Sequence, residues 1–435
     1  MFLSFELKNI LRTPLVIILS ILLFIFTLFA VYNGKSRTNK QLETIKIIKE
    51  KEDKFYTAKK TMLDSIEKNT KKPFPDDKWF LSPQYSLTLG AVRGAGTYAI
   101  LTPSPLSVVS TGQSDIFPFY TKIALDNNNA GDDNDNFENP FNIAQGEFDL
   151  AFVFVFILPL LVIVFGYNLL SVEREQGTLL LIKSMPIRIN VWLLNKIIFR
   201  FLFLLLICIV FLCFSFVLFD ISIQNFDFLQ MIISTSFYLL FWFLLCFLVN
   251  LLGKSSTTNA TFLVGSWVFF VLLVPSIANI LATNLYPVPS RTEFVTAQRD
   301  IENEVEKQRE KIINEFYAKN ATFKKPKQEE RRWRDNWRER FVEKYFAKKK
   351  LDVLQESFMK KTEAQRNFAD NFQYFSPAIL FQNALNSLAK TDTKTYLTFQ
   401  KKVNDFEKKW SFYFKSKFDK DEKMKVKDFD SFPKF

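Results

Sequence analysis

The feature that most constrains this chain is its segregation into five apolar runs and two long charged blocks. The runs cover residues 14–33, 149–170, 197–219, 229–250 and 261–283. Each is long enough to cross about 30 Å of hydrocarbon at about 1.5 Å per residue of helix. Inside a bilayer every backbone polar group must be satisfied within the protein, so runs of this length and continuity predict helices. Apolar residues make up 48% of the chain and Phe alone numbers 51, which leaves few polar positions outside the two charged blocks. The expected fold class is an α-helical polytopic membrane protein with five apparent transmembrane helices and two large aqueous domains.

Residues 1–13 set Leu3, Leu7, Ile10 and Leu11 against Glu6, Lys8, Asn9 and Arg12, the stripe of an amphipathic helix lying on the membrane surface. No run near the start pairs a short apolar core with a small-residue cleavage site, so the first span is expected to be retained. The first aqueous block, 34–148, opens with a helical pattern over 40–72 that fits one long helix or a helical hairpin. After Pro73 it turns to Pro, Gly, Ser and aromatics, which predicts short strands and loops and an α+β domain. The second block, 285–435, reads as a mainly α domain: long charged helices over 291–320 and 327–372 separated by Pro326, a break at Ser376-Pro377, then shorter helices. It carries 34 Lys or Arg against 24 Asp or Glu, while 34–148 balances at 15 and 15.

Several chemistries are disfavoured by composition. The chain has no His, and its three cysteines, Cys208, Cys213 and Cys246, all lie in apolar runs. Disulfides, the usual zinc sites and most acid–base schemes therefore lack their residues, and neither an enzyme, a metal site nor a cofactor is expected here. The acidic run 126–136 matches a calcium loop at Asp126, Asn128 and Gly131 but has Phe137 where a bidentate Glu is required, so it reads as a solvated loop. Gly253-Lys254-Ser255 imitates a phosphate-binding loop, but Leu248 stands where the first Gly belongs. Any nucleotide hydrolysis must come from another polypeptide.

Charge in the short loops sets the expected orientation. With residue 1 in the cytoplasm, the inside segments hold Lys8, Arg12, Arg174, Lys183, Arg188, Lys196, Arg200 and Lys254, whereas the short outer loop 220–228 has two Asp and no cation. Both charged blocks then lie outside. Trp333 and Trp337 among several Arg invite a nucleic-acid reading, which that location excludes.

Between the second and third runs sits a short helix-prone turn, 171–196, containing Glu173-Arg-Glu-x-Gly177-Thr178-Leu, followed by a Pro and Arg188. This resembles the cytoplasmic loop of permeases of the ABC-2 exporter type. The stretches Thr102-Pro-Ser-Pro-Leu-Ser-Val-Val-Ser-Thr-Gly-Gln-Ser-Asp115 and Asn139-Pro-Phe-Asn-Ile-Ala-Gln-Gly-Glu-Phe-Asp149 resemble one bacterial branch of them, whose outer domains have no assigned function. The resemblance implies a non-catalytic membrane subunit that couples ATP hydrolysis by a separate ABC ATPase to export of an unknown substrate.

It also implies a second permease copy or sister permease, contact with lipid, an extracytoplasmic partner, no nucleic acid, and residence in a bacterial cytoplasmic membrane. Glu173, Arg174 and Glu175 are then expected to set register against the ATPase, Gly177 to allow a break or close approach, and Thr178 to cap the following helix. Polar groups within the spans, Asn168, Asn250, Ser266, Ser276 and Asn279, are the candidate pathway lining. Such permeases usually have six spans, and no run after Ile280 is apolar enough to be the sixth. The rival expectation is an ATPase-driven scaffold or force transmitter that acts on outer partners without moving solute.

Overall fold

The computed structural model describes residues 6–8, 10, 12–91, 95–125, 148–184, 188–223, 226–319 and 332–435. The acidic run 126–136 and most of the 139–149 stretch lie outside them. Among the described residues, five helices are long and apolar enough to cross a membrane: Pro14–Glu67, Leu150–Glu175, Ile189–Leu218, Phe226–Leu251 and Ser256–Leu285. The chain divides into two compact units, Met1–Pro275 with Gln373–Phe435, and Ser276–Phe372.

In the first unit, α1 runs without interruption over Pro14–Glu67, 54 residues with Pro14 in its first turn, where a missing N–H costs nothing. The first apolar run and the helical pattern after it thus form one helix. Gly34 does not break it, because its bare face is used: a Cβ there would overlap the Val108 carbonyl oxygen. The loop carrying Val108 is held to α1 by Arg37, whose guanidinium donates to Ser107 O, Ser110 O and Thr111 Oγ1, and by Thr38 and Ser107 at 3.0 Å. Beyond it lie the short α2, Ser86–Gly90, and an antiparallel pair, β1 Thr97–Ile100 and β2 Tyr120–Ile123.

The second span begins with Asp149, which caps a helical turn by accepting from Phe152 N–H at 2.7 Å. A π-helical segment, Val153–Ile157, follows and leads into α3, Leu158–Gly166, with Pro159 in its first turn. The proline is accommodated by a bond from another span. Proline has no N–H to give the carbonyl four residues earlier, and that carbonyl, Val155 O, accepts instead from the Tyr238 hydroxyl at 2.8 Å. After a turn come α4, Ser171–Glu175, and α5, Leu179–Ser184. The third and fourth spans are α6, Ile189–Leu218, and α7, Phe226–Leu251. The fifth repeats the design of the second: α8, Ser256–Trp267, a π-helical segment Val268–Leu273, and α9, Val274–Leu285, with Pro275 just after the π segment.

The second unit is a helical hairpin. Ser290 and Glu293 form a capping box for α10, Arg291–Lys307, which breaks at Gln308 before α11, Arg309–Lys319; both pack on α12, Trp333–Asn371. Its core is small: Val305, Ile312 and Val342, with Phe316 and Phe346 against them. Glu339, 1% exposed, is paired with Arg309 at 3.7 Å, and Lys350 meets Glu304 at 2.8 Å.

The chain then returns to the first unit, so the block 285–435 is not the single domain its charge suggests. The apolar α13, Pro377–Ala389, buries Ala378, Phe381 and Leu385 in the same core as Phe154, Phe165, Phe216, Trp242 and Phe243 of the spans. The last long helix, α14, Thr393–Asp419, buries Tyr396, Phe399, Val403, Phe406, Trp410, Phe414 and Phe418 at helical spacing and packs on α2 and β2.

Candidate functional site

The central turn is built where the second span stops. After Gly166 the helix unwinds, and the last carbonyls of a helix have no intrahelical partner. Here the other spans supply them. Arg200 of α6 donates to Phe165 O, Asn250 of α7 to Gly166 O at 2.7 Å, Asn259 of α8 to Tyr167 O at 3.1 Å, and Lys196 of α6 to Leu169 O at 3.3 Å. Asn250 also accepts from Leu170 N–H at 3.1 Å. Three helices therefore grip the end of a fourth by side-chain bonds to its backbone.

Below this grip lies a buried charge network. Lys196, with a side chain only 5% exposed, sits 3.1 Å from Glu173 and 3.5 Å from Glu6, and Arg200 is 3.4 Å from Glu6, whose side chain is 1% exposed. The Lys196 ammonium also stands over the Trp192 ring. Charges this deep persist only when paired and hydrogen-bonded, and here each acid has a cation.

The charges expected to face a partner are thus partly used within the chain. Glu173 turns inward to Lys196 and accepts from the Thr178 hydroxyl through its side chain and its carbonyl; Thr178 points its hydroxyl back to Glu173 rather than onward into α5. Arg174 donates to Gly253 O, and Glu175 accepts from Ser256 N–H at 2.7 Å and from the Ser256 hydroxyl at 2.9 Å. These bonds tie the turn to the loop between the fourth and fifth spans. Gly177 has φ +75° and open space around it, so it serves as the break between α4 and α5 and not as a close contact. What the turn presents outward is α5, with Leu180 76% and Leu181 66% exposed.

The five candidate pathway residues do not gather in one place. Asn250 is buried with its amide spent on the second span. Asn168 is half-buried in the unwound turn, its carbonyl accepting from Val172 N–H at 3.2 Å. Ser266 donates to Phe262 O, one turn back along α8, while Ser276 and Asn279 are exposed on α9. Sequence reasoning counted Lys196 and Arg200 only as cations for orientation, set Glu6 on the polar face of a surface helix, where the structure buries it between those two cations, and passed over Asn259. The available signal was cost: a charged or amide side chain at the edge of an apolar run needs a partner.

Fold and turn together define an α-helical chain with five candidate membrane spans braced at one end by buried ion pairs. Residues 291–435, the last third of the chain, match the model of a family described as a domain of unknown function (DUF3526). This stretch covers most of the helical hairpin together with α13 and α14. No curated protein and no solved structure matches the chain.

Proposed function

We propose that this chain is the membrane-spanning permease subunit of an ABC-2 type transporter, coupling ATP hydrolysis by a separate ATPase subunit to export of an unidentified substrate. In this reading the Glu173 end of the bundle faces the cytoplasm of a bacterial cell, and the long polar regions lie outside. The supporting observation is the braced turn: α5 offers two exposed leucines, and the stretch 165–175 that leads into it is bonded to the third, fourth and fifth spans. A partner that pushes on α5 acts on the whole bundle, because Glu173, Arg174 and Glu175 leave little slack in the turn. Leu180 and Leu181 form the docking contact, with Lys183 beside them. Two copies, or a sister permease, complete a route along the second and fifth spans, where Ser276 and Asn279 are exposed.

The test is a photoreactive amino acid at Leu181 in native membranes, followed by identification of the cross-linked chain. The expected product is a polypeptide with a GxxxxGK[ST] loop, and the Leu180→Asp, Leu181→Asp double variant should lose both that product and the associated ATP hydrolysis. Cross-links only to lipid, or to chains without such a loop, would refute the proposal.

A second reading, an ATPase-driven force transmitter acting on outer partners, is favoured by one feature: α1 joins the bundle to the outer domain as one unbroken helix. Reconstituted complex stimulated by outer partners, with no compound transported, would select it.

A further inference from the structure

Both π-helical segments precede a proline, and in both a carbonyl within the segment is served by a side chain from elsewhere in the fold. In the second span, Val155 O receives the Tyr238 hydroxyl, and the neighbouring Phe156 O receives Trp267 Nε1 at 3.1 Å. In the fifth, Phe270 lies five residues before Pro275, the separation at which a π-helix would bond, and Phe270 O receives the Ser376 hydroxyl at 2.6 Å. Ser376 is the N-cap of α13. One turn further on, Phe381 stacks on the Tyr238 ring at 4.4 Å. A single short helix therefore bears on both irregular segments.

The depth of α13 follows from its partners. Phe270 is the fifteenth residue of the thirty-residue helix Ser256–Leu285. At the other end of α13, Asn386 Oδ1 accepts from Ser110, Ala389 O from Ser104, and Thr391 O from Gln113 N–H, all three donors lying in the loop 104–113. Its 13 residues make about 20 Å of helix, short of the 20 or so residues a crossing needs.

We propose that α13 is a re-entrant half-span that locks the two π segments that precede prolines, so that rewinding of either segment is read directly by the outer loop 104–113. Helical π segments are tolerated where side chains satisfy the freed carbonyls. Withdrawing Ser376 or tilting Tyr238 removes that support and favours a tighter winding, which rotates the remainder of the span.

Two measurements test this, neither involving nucleotide or cargo, so the outcome is independent of the transport reading. In sealed membrane vesicles, Lys361→Cys and Lys390→Cys should react with an impermeant maleimide from the same side, while Leu380→Cys should stay unreactive until detergent is added. Labelling from opposite sides, or free labelling at Leu380→Cys, would overturn the half-span. In lipid nanodiscs, hydrogen exchange of Ser376→Ala and Tyr238→Phe full-length protein should rise about five-fold across 268–273 and 153–157, the scale of one buried hydrogen bond. A change confined to 377–389, or none, would overturn the lock.

Discussion

The ammonium of Lys196 lies 3.1 Å from Glu173 and 3.5 Å from Glu6, so one buried cation joins the leading segment of the chain to its central turn. Replacing it with Met leaves Glu6 to Arg200 alone and takes the Lys196 ammonium from the Glu173 carboxylate. Breaking a buried pair from one side costs about 3 to 5 kcal/mol. Lys196→Met should fall near the lower end because Arg200 remains beside Glu6, and adding Glu173→Gln should recover part of the loss. Thermal unfolding in nanodiscs reads both.

Asn250 makes three bonds that no aliphatic side chain can replace. Asn250→Leu leaves Gly166 O and the Leu170 N–H buried without partners, at about 1 to 3 kcal/mol for each group. The expected result is a lower unfolding temperature and faster proteolysis within 167–178, measured by limited digestion.

Gly166 packs against the fourth span so closely that a Cβ would stand 2.6 Å from the Cys246 sulfur. Gly166→Ala should destabilise by about 1 to 3 kcal/mol, the range for overpacking, and Cys246→Ala should restore only part of it, because the Cys246 Cβ also stands 2.8 Å from the added atom. A double-mutant cycle with no coupling would contradict this contact. Gly34→Ala meets backbone instead, so no single side-chain trimming should rescue it.

At Gly177, φ is +75° with nothing near the missing Cβ. Ala there should cost about 1 to 2 kcal/mol from left-handed backbone alone, and Asn less. Since the strain falls between α4 and α5, the Leu181 cross-link should weaken before global stability does.

In the polar half of α1, burial lifts the Glu52 carboxyl above its ordinary value although Thr97 donates to it at 2.6 Å. A raised folded-state pKa means that its stabilising contribution is complete below the unfolded value of about 4.5 and is lost as pH rises through the folded one. Glu52→Gln should therefore match the native protein near pH 4 and exceed it in unfolding temperature at pH 8.

The sequence reading succeeded where periodicity and composition act alone. Five apolar runs became five candidate spans, and within the charged patterns over 291–320 and 327–372 the described residues form helices over 291–319 and 333–371, with one break at Gln308 that no Pro or Gly announced. It failed where a segment's partner decides its place. Residues 377–389 were taken with the charged block around them because their apolar face is only 13 residues long, and their destination in the span core depends on Tyr238 and Phe270, far away in sequence. The turn residues were found by motif, but their inward pairing with Lys196, Gly253 and Ser256 is tertiary and leaves no periodic trace.

The unbroken α1 has a mechanical consequence. Fifty-four residues at 1.5 Å each give about 80 Å, and after Pro14 the helix contains no proline to act as a joint. If its embedded foot tilts by roughly 5°, geometry carries the far tip sideways by about 7 Å, so small displacements among the packed spans arrive amplified at the distal end.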